Sequence, residues 1–136
     1  MHHPWRAFAA LSHVTLLWAD LGGHVLGLTD HDAQTVTLAL GMTQAQRRSA
    51  IAHETVHIER GKPAPLAASK DEAAVRRETA RRLLPDIRAV GEALAWAASN
   101  AEAAEELWVD EGVLADRLRW LHPAEVHYLR RRLAEV

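Results

Sequence analysis

Apolar positions recur along this chain in two different periods. Trp5, Phe8, Ala9 and Leu11 recur at three-to-four-residue spacing, a helical stripe that Pro4 can open, so the pattern predicts a helix over about residues 4–11. The period then changes. His13 to Trp18 is dense in β-branched and large apolar residues and stops at the turn-prone Gly22-Gly23. Gly23 to Thr29 and the alternating Thr35 to Leu40 follow, separated by Asp30-His31-Asp32. These three segments predict a small, three-stranded, mostly antiparallel sheet.

From Gly41 onward the pattern is helical. Thr43 and Gln46 form a capping box, and no Pro or Gly interrupts the stretch to Arg60, which predicts one long helix stopped by Gly61. Lys62-Pro63-Ala64-Pro65 reads as a rigid connector, and a second helix over about residues 69–84, with Ser69 and Glu72 as its capping box, ends before Pro85. Beyond it, Ile87, Val90, Leu94 and Ala97 make a stripe, Ser99 with Glu102 makes a third box, and Asp110 and Pro123 open two more helices. The expected fold class is therefore α+β, with the sheet packed on the long helix and a helical C-terminal lobe.

Composition narrows the chemistry. A length of 136 residues, 49% apolar and 25% charged, predicts a single domain, with residues 1–85 holding the sheet and its two helices and residues 86–136 the lobe. There is no cysteine, so any metal must be held by His and carboxylate. A formal charge of −2 gives no global attraction to nucleic acid or anionic membrane. His2, His3 and Pro4 stand where a basic leader would be, and no apolar run approaches the roughly 18 residues of a membrane span, which predicts a cytoplasmic protein with no membrane partner.

The long helix carries the chemistry. His53-Glu54-Thr55-Val56-His57 is a His-Glu-x-x-His motif. Residues i and i+4 share a helix face, so both imidazoles can point at one zinc ion, while Glu54, one position round, can reach a water beside the metal as a general base. A hydrolytic zinc site takes a third protein ligand. Glu72, at the start of the next helix, is the first candidate; its neighbour Asp71 and, almost two turns later, Glu78 compete with it.

With these residues in place, the sequence resembles the ImmA/IrrE family of zinc metallopeptidases, which are zincin-like. That family's pattern is an antiparallel sheet, a His-Glu-x-x-His helix, and a helix carrying Glu, a small residue, Asp or Asn, and an apolar-Ala step before a Leu-Leu-Met-Pro-like end. Asp71 to Pro85 resembles this last helix, and counting back from Pro85 puts Glu72 at the third ligand. The resemblance spans about residues 13–121. It implies Zn2+ on His53, His57 and Glu72, Glu54 as catalytic base, and hydrolysis of a peptide bond in a specific protein, a helix-turn-helix repressor of a phage or mobile element. Arg76 departs from the pattern where Asp or Asn is usual, and Glu78 where an aromatic or apolar residue is usual; losing a carboxylate behind the ligands costs about 10–100-fold in affinity or activity. A rival reading is a non-catalytic zinc-binding regulator that acts by binding a repressor or toxin.

Other features carry less. Residues 101–121 look like a helix-turn-helix, but from residue 99 onward eight acids face five bases, so no direct nucleic-acid binding is expected. Arg130, Arg131 and Arg132 read as a solvated helix face. Trp96, Trp108 and Trp120 are expected to anchor the lobe's core, and Trp18 that of the sheet. Tyr128, His127, His24 and His31 are the candidates for stabilising an oxyanion, and His2 with His3 for adventitious metal.

Overall fold

The computed structural model describes residues 2–134. Helix α1 (Pro4–Ala9) leads to strands β1 (Thr15–Ala19), β2 (Gly27–Asp30) and β3 (Thr35–Ala39), then to helix α2 (Gln44–Arg60). A short 3-10 turn (Pro65–Ala67) runs into α3 (Ala68–Leu83), followed by α4 (Ile87–Trp96), α5 (Asn100–Glu106), α6 (Glu111–Arg119) and α7 (Pro123–Ala134). The class is α+β. No helix among the described residues is long and apolar enough to cross a membrane.

The sheet is mixed, which corrects the mostly antiparallel expectation. Its order is β1-β3-β2, with β2 antiparallel and β1 parallel to β3. The cause lies in β3, whose alternating Val36 and Leu38 are wholly buried, so that it takes the centre and pairs on both edges. Gly22 and Gly23 do turn the chain, at φ of 68° and 56°, but they send it to the far side of β3 and not back along β1. Residues 20–34 then supply the connection of about a dozen residues or more that parallel pairing needs.

Helix α2 is capped as its sequence predicts: Gln46 N–H donates to Thr43 Oγ1 at 3.1 Å and Thr43 N–H to Gln46 Oε1 at 3.0 Å. The expected box at Ser69 and Glu72 does not form. The turn begun by Pro65 feeds directly into α3, so the helix is already under way at Ala68 and the Glu72 side chain is free for other partners.

Two apolar clusters meet at α2. Phe8, Val36, Leu38, Ala50 and Ile51 lie between the sheet, α1 and α2; Ala52 joins Leu83, Leu84, Val90, Ala93, Ala103, Ala104, Val109 and Leu114 in the lobe. The tryptophans do not anchor these clusters. Trp96 and Trp108 are 67% and 64% exposed, Trp18 is 45% exposed, and Trp120 is half-buried under the Arg119 guanidinium. The lobe's core is filled by Leu83, Leu84, Val90, Val109 and Leu114 with alanines between them.

Arg117, wholly buried, ties the lobe together. Its Nε donates to the Leu84 carbonyl at 2.7 Å and its terminal nitrogens to Glu125, which also accepts from Arg81. The Arg117 hydrogen bond, against burial, holds the Glu125 carboxyl well below the usual carboxylate range. A depressed acid contributes stability above its unfolded pKa, and that contribution is lost as pH falls through the range between unfolded and folded values. Glu125→Ala therefore removes about 3 kcal/mol at neutral pH by orphaning a buried guanidinium, and flattens the loss of stability below about pH 4. Urea unfolding followed by circular dichroism at neutral and acidic pH checks both.

Candidate metal centre

His53 and His57 lie one helical turn apart on α2, their ring centroids 4.9 Å from each other. Gly61 ends α2 at a φ of 81°, and α3 returns against it. Glu72 then meets both rings: Oε1 is 3.0 Å from His53 Nε2, and Oε2 is 2.8 Å from His57 Nε2. One ligand atom from each residue lies within 4.8 Å of the others, so the group could hold a metal ion. A tetrahedral ion with ligands at about 2.0–2.2 Å sets its ligand atoms about 3.3–3.6 Å apart, so the cluster needs only a small opening to admit one.

Asp71 provides an independent test of that fit. Its Oδ1 accepts from Arg60 Nε at 2.9 Å, while its buried Oδ2 has no hydrogen-bond partner and lies 3.6 Å from His57 Nδ1. With Nε2 bonded to Glu72, the ring's proton sits on that nitrogen. An ion at Nε2 requires the other tautomer, with the proton on Nδ1 and directed at the waiting Oδ2. The orphaned oxygen is therefore accounted for by the metal-bound form.

Charge follows the same geometry. Burial disfavours the Glu72 carboxylate, but hydrogen bonds from His53 and His57 outweigh it and hold this carboxyl well below its ordinary range. His57 is likewise opposed by burial, yet Glu72, Glu54 and Asp71 together raise it. Glu54 behaves oppositely. It is 4% exposed, and desolvation pushes its carboxyl up, against the charges of His53 and His57 and the hydroxyl of Thr29, which donates to Oε1 at 3.0 Å. Gly27 leaves room for it: a Cβ there would lie 3.1 Å from Glu54 Cγ and 3.2 Å from Leu38 Cδ2.

These groups face a groove of about 660 Å³ between β2, α2, α3 and the start of α6. His24 and His31 line it; Tyr128 packs instead against Gly91 of α4, and His127 is exposed on α7. Glu78 points elsewhere, bonded to Arg82 at 2.9 Å. Arg76 also lines the groove, joined to Asp116 of α6 by two bonds of 3.0 and 2.8 Å. Sequence reasoning missed Thr29 and Gly27, which share one face of β2 by strand alternation, and it weighed Asp71 only as a ligand.

No family model matches the chain, and no curated protein and no solved structure matches it. The ImmA/IrrE resemblance therefore rests on the motif residues alone.

If Asp71 orients His57, Asp71→Ala weakens metal binding about 10–100-fold, while Glu78→Ala leaves it unchanged. Competition against a chromogenic chelator measures both; equal affinities for parent and Asp71→Ala would dismiss the orienting role.

Proposed function

We propose that this chain is a zinc-dependent metallopeptidase of ImmA/IrrE type, acting in the cytoplasm on a specific protein, with a helix-turn-helix repressor as the substrate that the resemblance implies. The observation that carries the reading is a buried carboxyl, Glu54, beside a cluster of two imidazoles and one carboxylate, all facing one groove.

Two imidazoles and a carboxylate are a donor set that zinc accepts in hydrolytic sites, and there it supplies Lewis acidity toward a carbonyl oxygen and toward water. The protein's own residues supply the rest. Glu54 accepts a proton from the attacking water and passes it to the leaving amine, a double duty favoured by a pKa raised toward the working pH. Thr29 occupies one Glu54 oxygen and leaves the other for the proton. Strand β2 is an edge of the sheet and lines the groove, so its free side can hold an extended peptide by main-chain hydrogen bonds.

The rival, a non-catalytic regulator that binds a repressor or toxin, draws its support from the Arg76–Asp116 pair, which stands in the groove where the family carries an acid or amide.

Native mass spectrometry of untagged protein should find about one zinc per chain, and Glu72→Ala should lose most of it. Glu54→Gln should keep the zinc and lose about 10²–10⁴-fold in the rate of repressor cleavage. Stoichiometric partner binding with both chains intact, unaltered by Glu54→Gln, would decide for the regulator.

A further inference from the structure

Three of the five tryptophans, Trp5, Trp18 and Trp108, line a second cleft of about 460 Å³ with Arg47 and Arg48. Their exposures are 39%, 45% and 64%, and Trp5 stacks on Trp18 at 6.4 Å between ring centroids. Clustered exposed indoles are uncommon on a surface with no partner, because their burial is worth more than that of any other side chain.

Backbone strain marks the same place. Trp108 follows α5 at a φ of 59°, the left-handed position where a helix end favours Gly or Asn. Trp108 closes the helix end, its N–H donating to the Glu105 carbonyl and that of Val109 to the Ala104 carbonyl, both at 3.0 Å, but its ring does not fill the core. The cap thereby fixes the exposed indole at the edge of the cleft.

Charge indicates what the cleft would take. Arg60, Arg76, Arg81, Arg82, Arg117 and Arg132 all pair with carboxylates. Arg48 does not. Half-buried, it donates to the Trp108 carbonyl at 3.1 Å and the His2 carbonyl at 3.3 Å, and no Asp or Glu lines the cleft among the described residues. Burial accordingly lowers its pKa, with no anion to oppose the shift.

We propose that this cleft docks an extended acidic segment of another protein, seating an apolar or proline side chain among the three indoles and its carboxylates against Arg47 and Arg48. A second copy of the chain is disfavoured, since a two-fold contact would set these arginines against themselves. Single-stranded nucleic acid is disfavoured as well: two arginines make no track for a phosphate backbone, and the chain is net negative. The cleft also lies one residue from the metal groove along α2, because Ser49 and Ala50, next to Arg48, line that groove. Delivery of the docked protein to the groove rests on the peptidase reading; the docking itself does not.

The test is selection of random 12-residue phage-displayed peptides on the immobilised full chain, followed by fluorescence-anisotropy titration of the enriched peptides. Acidic peptides with an apolar or proline anchor should emerge. Their affinity should fall at least tenfold with Trp108→Gly, which relieves the backbone and should melt no lower than the parent, and with Trp18→Ala, and should be unchanged by His53→Ala. Failure to enrich any peptide, enrichment of non-acidic ones, or equal binding to both tryptophan variants would overturn the proposal. So would tryptophan-dependent binding of a dT12 oligonucleotide, or a dimer that Trp108→Gly dissociates. Loss of zinc or of cleavage with docking intact would count against the peptidase reading alone.

Discussion

Helix α2 buries Ile51 against the sheet and Ala52 against the helical lobe, so a single turn of backbone is held from two sides and its remaining face has one direction left to point. That face carries His53 and His57. Shape complementarity on both flanks resists rotation of the helix, because any turn that moved the imidazoles would also withdraw Ile51 and Ala52 from close-packed surroundings. The Thr43–Gln46 box and the Gly61 stop fix the two ends, and α3 returns after the turn begun at Pro65. The cluster of His53, His57 and Glu72 is thus a consequence of packing some distance from the groove, which is how a site acquires a rigid first layer.

Within the groove, two carboxyl groups are driven apart by their surroundings. Glu72 sits between two imidazole nitrogens and is stabilised as an anion; Glu54, enclosed by β2 and α2 with a single hydroxyl donor, is destabilised as one. In the proposed reaction this separation divides the labour, Glu72 as a fixed charge and Glu54 as a proton carrier. Gly27 is what permits the division. Any side chain there would press on Glu54 and on Leu38 behind it, so the same missing methyl serves the site and the core of the sheet.

The parts of this structure legible in the sequence are those set by local chemistry. The α2 cap, the Gly61 stop and the one-turn spacing of His53 and His57 depend on neighbours three or four residues away, and the pattern states them. The register of β1 does not. Whether it pairs with β2 or β3 depends on which strand wins the buried centre, and the Gly22-Gly23 turn is compatible with either. Ser69 and Glu72 carried a correct cap signature that a stronger local event, the turn begun at Pro65, made irrelevant. The tryptophans misled for a different reason: large apolar area argues for burial, but the lobe's core is already filled by leucines, valines and alanines, and Trp96 and Trp108 stay exposed. Asp71 and Thr29 act through contacts of 11 to 25 residues in sequence separation, to Arg60 and Glu54, which no periodicity reports.

The segment between α5 and α6 joins the molecule's two clefts. Trp108 faces the tryptophan cleft, Val109 is buried in the lobe, and Asp110 lines the metal groove while donating its N–H to Ser49 Oγ at 2.9 Å. Asp110 also caps α6, accepting from Gly112 N–H at 3.2 Å. Anchored at Val109 and Asp110, the chain cannot relax the left-handed conformation at Trp108 without withdrawing a buried side chain and uncapping a helix. The strain is therefore imposed by the same contacts that close the groove. Glycine would meet this helix end without strain; tryptophan there holds a water-exposed indole in a fixed place at the cleft, where a partner that covers the ring would gain its burial.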